Sequence, residues 1–134
     1  MGIILDTSVI IDIERRHESI ESLIVGREEE PFGISVITVS ELLHGVERAN
    51  TEERKLKRQA FVEKVIESFP IFPFDLMVGR IYAHIWATLA QKGLSVGAHD
   101  LIIAATAISL DYTVVTINTR DFNKIEGVKI EKLQ

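Results

Sequence analysis

A helix-rich, three-layer α/β/α sandwich on a mostly parallel sheet is the α/β fold this sequence predicts. Short runs rich in Ile, Val and Phe recur at 3–6, 32–38, 69–74, 113–118 and 128–133, and segments with helical spacing separate them. The first run, "IIL", is continuously apolar rather than alternating, as in a strand covered on both faces. It ends on a carboxylate, Asp6, and open parallel sheets build their chemistry beyond the carboxyl ends of their strands.

After strand 3–6, Thr7 and Ser8 are good N-cap residues, so a helix is expected to start there and run to about Arg16. A second helix is expected over 17–25, ending at Gly26, and "REEE" (27–30) with Pro31 forms a solvated turn. "FGISVIT" (32–38) is β-branched and reads as a strand. The stretch 39–49 places apolar residues at 39, 42, 43 and 46, which is helical spacing. A further amphipathic helix over 51–69 starts with the capping residue Thr51, and its apolar face is drawn from 56, 60, 62, 65, 66 and 69. "FPIFPF" (69–74) carries two prolines, which suits a sheet edge. Residues 75–92 form a long helix ending at Gly93, and 97–111 form one that is apolar nearly all round and therefore buried on more than one side. Strand 113–118, a short helix or turn over 119–125 and strand 128–133 complete the chain, which is expected to be one domain over 1–134.

Composition narrows the function classes. With 46% hydrophobic and 26% charged residues the chain is globular rather than disordered. It has no cysteine, which excludes disulfides and thiolate metal sites and suits a reducing, cytoplasmic setting. No apolar run is long enough to cross a bilayer, and Asp6 and Asp12 interrupt the apolar start, against a signal peptide. Met1-Gly2 lacks the Ser or Thr that myristoylation wants, because Asp6 sits there. A formal net charge of −5 argues against a protein that holds nucleic acid by charge alone. It does not argue against a nuclease whose carboxylates hold a cation.

Asp6 at the end of strand one, Glu41 near the start of the helix after strand two, Asp100 at the start of the buried helix and Asn118 at the end of strand four share one structural address, with Asp121 three residues on. On a parallel sheet they lie on one rim. Crowded carboxylates repel and resist desolvation unless a cation joins them. Oxygen ligands without His or Cys suit Mg²⁺ or Mn²⁺. Each acid also has a plainer reading: Glu41 completes a capping box in "TVSE" (38–41), and Asp100 complements a helix N-terminus. His44, His84 and His99 lack zinc spacing; His84 reads as a packing residue and His99, beside Asp100, as a substrate contact. Tyr82 and Trp86 share spacing with Ile81, Ile85 and Leu89 and read as core or subunit contact. Arg54, Lys55, Lys57 and Arg58 read as the wet face of a helix or as a feed for phosphates, and Arg120 as a phosphate contact.

The segments "ILDTSVIID", "SVITVSELLHGVERA", "VGAHDLIIAATAISLDYTVVTINTRDF" and "IEGVKIEKL" resemble PIN domains, and more narrowly the VapC-type toxins of toxin–antitoxin pairs, over essentially the whole chain. The resemblance implies a Mg²⁺- or Mn²⁺-dependent endoribonuclease whose acids fall on Asp6, Glu41 and Asp100, with Asp6 and Asp100 as metal ligands. It implies Thr7 or Ser8 in support of the first acid and Thr116 as a hydroxyl on the rim. The family's fourth acidic position falls on Asn118, an amide, with Asp121 as a partial substitute. It also implies an RNA substrate, a homodimer and a cognate antitoxin whose C-terminal segment blocks the acidic pocket. A housekeeping RNA-processing PIN nuclease and a non-catalytic dimerisation or regulatory module are the alternatives. A haloacid-dehalogenase-type phosphotransferase needs a second Asp where Ser8 stands, and a receiver domain needs adjacent acids where Thr7 stands.

Overall fold

The computed structural model describes residues 2–133. Its elements run β1 (Ile3–Leu5), α1 (Thr7–Arg15), a single 3-10 turn (Ile20–Leu23), β2 (Phe32–Ser35), α2 (Val36–Glu47), α3 (Glu52–Ser68), β3 (Ile71–Phe72), α4 (Leu76–Gln91), α5 (Ala98–Leu110), β4 (Thr113–Thr116), α6 (Thr119–Phe122) and β5 (Lys129–Lys132). The five strands form one sheet in the order β3-β2-β1-β4-β5, and every pairing is parallel. The proline-flanked β3 is an edge strand, as its prolines require.

Side-chain alternation along the central strands makes two cores. Ile3 and Leu5 of β1 and Val115 of β4 face a layer built from α1, α2 and α3, meeting Val9, Ile10, Leu42, Val46, Val62 and Val65. Ile4 and Val114 face the opposite layer, where α4, α5 and α6 supply Val78, Ile85, Leu89, Ile103 and Phe122. Ile4 and Val114 are fully buried, and each such side chain contributes roughly 1.5–3 kcal/mol relative to exposure. Helix α5 carries six buried residues between Leu101 and Ala107, which explains its lack of a polar stripe.

Several boundaries differ from expectation, each for a local reason. The helix expected over 17–25 is one 3-10 turn. Helix α1 closes in a Schellman-type cap, with the Glu18 amide donating to the Ile13 carbonyl at 3.2 Å and His17 left-handed at φ 54°. Strand β2 stops at Ser35 rather than 38, because Ser35 caps α2 by accepting from the Ile37 amide at 3.1 Å. The β-branched stretch 36–38 is therefore helical, its tertiary setting overriding its strand propensity. Strand β4 stops at Thr116 rather than 118. In α3 the buried positions are Val62 and Val65, whereas Leu56 and Ala60 point outward. His84, expected to pack, is exposed, and Trp86 is 59% exposed with its ring edge-to-face on Tyr82.

Candidate active site

The Asp6 amide still belongs to the sheet, donating to the Val115 carbonyl at 2.9 Å, and this last ladder bond fixes the residue against β4. Asp6 then occupies the N-cap position of α1, but its side chain caps nothing. Its Oδ2 instead accepts two hydroxyl protons, from Ser8 Oγ at 2.6 Å and Thr116 Oγ1 at 2.8 Å. The second bond joins residues 110 apart in the chain. Asp6 is buried, 5% exposed, and its Oδ1 makes no bond to any described residue. Charge-assisted bonds of this kind hold a carboxylate in one orientation. The hydroxyls are themselves held: Thr116 Oγ1 accepts the Asn118 amide at 3.0 Å, and Ser8 Oγ accepts the Ile117 amide at 3.3 Å.

Glu41 is drawn in by the neighbouring helix. Thr7 Oγ1 donates to Glu41 Oε1 at 2.7 Å and also bonds Thr38 Oγ1 at 3.0 Å. Thr38 lies inside α2, fully buried, so it is not the N-cap of a "TVSE" box; that duty belongs to Ser35. The plainer reading of Glu41 thus fails. Thr38 is a member of the site that the sequence did not reveal, and its signal was a hydroxyl three residues before an acid on the same helix face. The other carboxylate oxygen, Glu41 Oε2, lies 3.3 Å from His99 Nδ1.

Asp100 sits in the first turn of α5, half-buried. Burial raises its pKa from 3.8 to about 6, and the negative charges of Asp6, Asp121 and Glu41 add to the rise, while His99 opposes it. Acids that the sequence puts at separate strand ends and helix starts therefore act on one carboxyl group. Asp121 receives Lys124 Nζ at 3.0 Å, which offsets part of its charge. Asn118 is exposed and does not cap α6 with its side chain. Of the two residues considered for a fourth position, Asp121 is the one whose charge reaches Asp100. Arg120 is exposed and carries no ion pair among the described residues.

All the acidic donors are carboxylate oxygens, the chemistry that Mg²⁺ and Mn²⁺ prefer. Among the described residues no three His, Asp or Glu side chains stand close enough to form a ready-made ligand set. Asp6, which has an unengaged oxygen, and Asp100, whose pKa burial and nearby negative charge raise, are the acids that could hold such an ion.

The PIN-domain family model matches residues 3–128. Ribonuclease VapC1 of Rickettsia felis is 39% identical over 133 residues, which is 97% of this chain and 95% of the relative. The tRNA(fMet)-specific endonuclease VapC of Salmonella typhimurium is 40% identical over 98 residues, covering 73% of this chain and 72% of the relative. Among solved structures, VapBC2 of Rickettsia felis bound to a DNA fragment from its promoter superposes with a TM-score of 0.90 at 26% identity, covering both chains completely. A five-stranded parallel sheet, together with these likenesses over nearly the full length, shows that the chain belongs to the PIN-domain family and, within it, to the VapC ribonucleases.

Proposed function

We propose that the chain is the Mg²⁺- or Mn²⁺-dependent endoribonuclease toxin of a type II toxin–antitoxin pair, and that Asp6, Glu41 and Asp100 do its work. The observation that carries this reading is the buried Asp6 carboxylate, held through Oδ2 by Ser8 and Thr116 with Oδ1 unengaged, together with a half-buried Asp100 whose pKa is raised by burial and further by the negative charges of Asp6, Asp121 and Glu41. A folded protein that keeps such a repulsive rim gains from a cation there.

The bound ion supplies charge neutralisation and activation of water and phosphate. The chain's own groups do the positioning. Ser8 and Thr116 hold Asp6 by Oδ2 and leave Oδ1 unengaged. Thr7 holds Glu41 by Oε1. The partial burial of Asp100 lowers the local dielectric, which strengthens every charge interaction with a phosphate. In the reaction, water adds to phosphorus in line, the P–O3′ bond breaks and a proton passes to the 3′-oxygen. The products are a 3′-hydroxyl and a 5′-phosphate.

RNA is the proposed substrate, and the specificity named for the Salmonella relative makes tRNA(fMet) the first defined probe. Likeness to the VapBC2 assembly supports a cognate antitoxin partner, and a homodimeric toxin is part of the same proposal. An Arg of that antitoxin would meet complementary charge at the acidic rim. No helix among the described residues is long and apolar enough to cross a membrane, and action on RNA suits a cytoplasmic place of work.

Asp6→Asn tests the assignment. The amide oxygen can still accept from Ser8 and Thr116, so the fold is kept, while an NH₂ replaces the free Oδ1. Cleavage of total cellular RNA in Mg²⁺ is expected to fall by roughly 100-fold or more, and melting is expected at or above the parent temperature. If the purified variant cuts as fast as the parent, the assignment is wrong.

A further inference from the structure

Of the eight arginines and seven lysines in this acidic chain, most are spent on carboxylates. Six of the lysines are paired, including Lys55 with Glu47 at 3.6 Å and Lys57 with Glu53 at 3.3 Å. Arg16 pairs with Asp12 at 2.7 Å and Arg27 with Glu30 at 2.6 Å. The basic run on α3 therefore divides. Its two lysines are neutralised on the wet face, and its two arginines, Arg54 and Arg58, line a cleft of about 460 Å³ between α1, α2 and α3. Arg15 and Arg48 line the same cleft.

None of these four guanidiniums has a carboxylate partner among the described residues. Arg54 donates to the neutral Asn50 Oδ1 at 3.0 Å and Arg58 to the Gly45 carbonyl at 3.0 Å, so both keep their full charge and spare N–H groups. Against four guanidiniums the cleft lining has two carboxylates, Glu14 and Glu41. Complementing the negative end of α2 accounts for the bond from Arg58 to Gly45. The same reading covers Arg48 at the C-cap of α2 and Arg15 in the last turn of α1, but it does not account for Arg54, nor for four guanidiniums sharing one cleft without a carboxylate partner among the described residues. Glu41 is shared between this cleft and the acidic rim, so the positive trough opens directly onto the proposed cutting site.

We infer that the α1–α2–α3 cleft holds the phosphate backbone of the RNA strand beside the scissile bond, with Arg15, Arg48, Arg54 and Arg58 as its phosphate-contacting residues. The inference rests on the ribonuclease reading. A chain with a net charge of −5 needs a local concentration of positive charge to bring a polyanion to a ring of acids, and this cleft supplies it. Guanidinium forks suit phosphate oxygens because they donate in pairs.

The test uses fluorescence anisotropy of a labelled single-stranded oligouridylate in Mg²⁺, with Asp6→Asn as the background so that no probe is cut. Adding Arg48→Gln and Arg58→Gln is expected to weaken binding roughly tenfold at about 0.1 M salt, and to flatten the log–log salt slope by about 0.7 for each phosphate that is no longer neutralised. Arg48→Lys with Arg58→Lys should restore most of the slope, which a folding defect would not. Arg80→Gln, an exposed arginine outside the cleft, should change nothing. An unchanged affinity and slope in the double Gln variant overturns the inference. Displacement of the probe by polyglutamate at equal charge overturns it in favour of an acidic protein segment. If the parent never cuts RNA yet the slopes behave as expected, the nuclease reading falls and the cleft remains a nucleic-acid site. If the parent cuts and the slopes do not move, the cleft alone falls.

Discussion

Asp100 is where the site's electrostatics can be read as stability. Its carboxyl titrates near 6 in the folded protein against 3.8 ordinarily. Between those values the folded state holds a proton that the unfolded state has released, so this residue's contribution to stability falls as pH rises through 4 to 6. Above pH 6 the ionised group costs about 1 kcal/mol, well below the full shift because the side chain is half-exposed and screened. In EDTA, Asp100→Asn should therefore melt above the parent at pH 7.5, and the two should converge only below pH 3.8, as followed by circular dichroism. Millimolar Mg²⁺ should raise the parent's melting temperature at pH 7.5 more than the variant's. A variant that melts below the parent at pH 7.5 would show that the Asp100 charge is not the burden described. Thr38 and Ser8 illustrate the opposite kind of contribution. They carry no charge, yet Thr38 bonds the Thr7 hydroxyl that holds Glu41, and Ser8 holds Asp6.

At the scale of elements, close packing sets the tolerance of the edge. A methyl group placed on Gly33 in β2 would stand 2.2 Å from the Phe72 ring of β3. Gly33→Ala should cost about 1–3 kcal/mol, measurable by urea unfolding, because the ring must leave its place against Tyr112. Most of the elements were legible because their periodicity is strong: β1, β4, α4 and α5 lie within two residues of expectation. The failures share a cause. At 36–38 the residues favour a strand, but Ser35 caps and Thr38 is needed inside the helix to meet Thr7. At 17–25 only Ile20, Leu23 and Ile24 pack on the core, enough for one turn and too few for a helix. Asp6 and Asp100 were placed by their positions at a strand end and a helix start, whereas Glu41, expected to start its helix, lies in the middle of α2 because that helix begins at Val36. The division of the α3 basic run into paired lysines and cleft-facing arginines was not legible, since it depends on Glu47 and on the packing of α2 against α3.

For the molecule as a whole, the chain order of the strands and their order in space disagree, and the disagreement has a use. β1 lies at the centre of the sheet between β2 and β4, and β4 enters it from residues 113–116. A polypeptide ended after Leu110 would lack Thr116 and one of the two strands that flank β1, the one paired with Ile3, Ile4 and Leu5. Such a fragment should give no cooperative melt and no RNA cleavage, and a folded, active fragment would show that β4 is dispensable. As the chain emerges during translation, Asp6 lacks the hydroxyl of Thr116 until β4 has been made, so nearly the whole polypeptide must be synthesised before its first acid is seated.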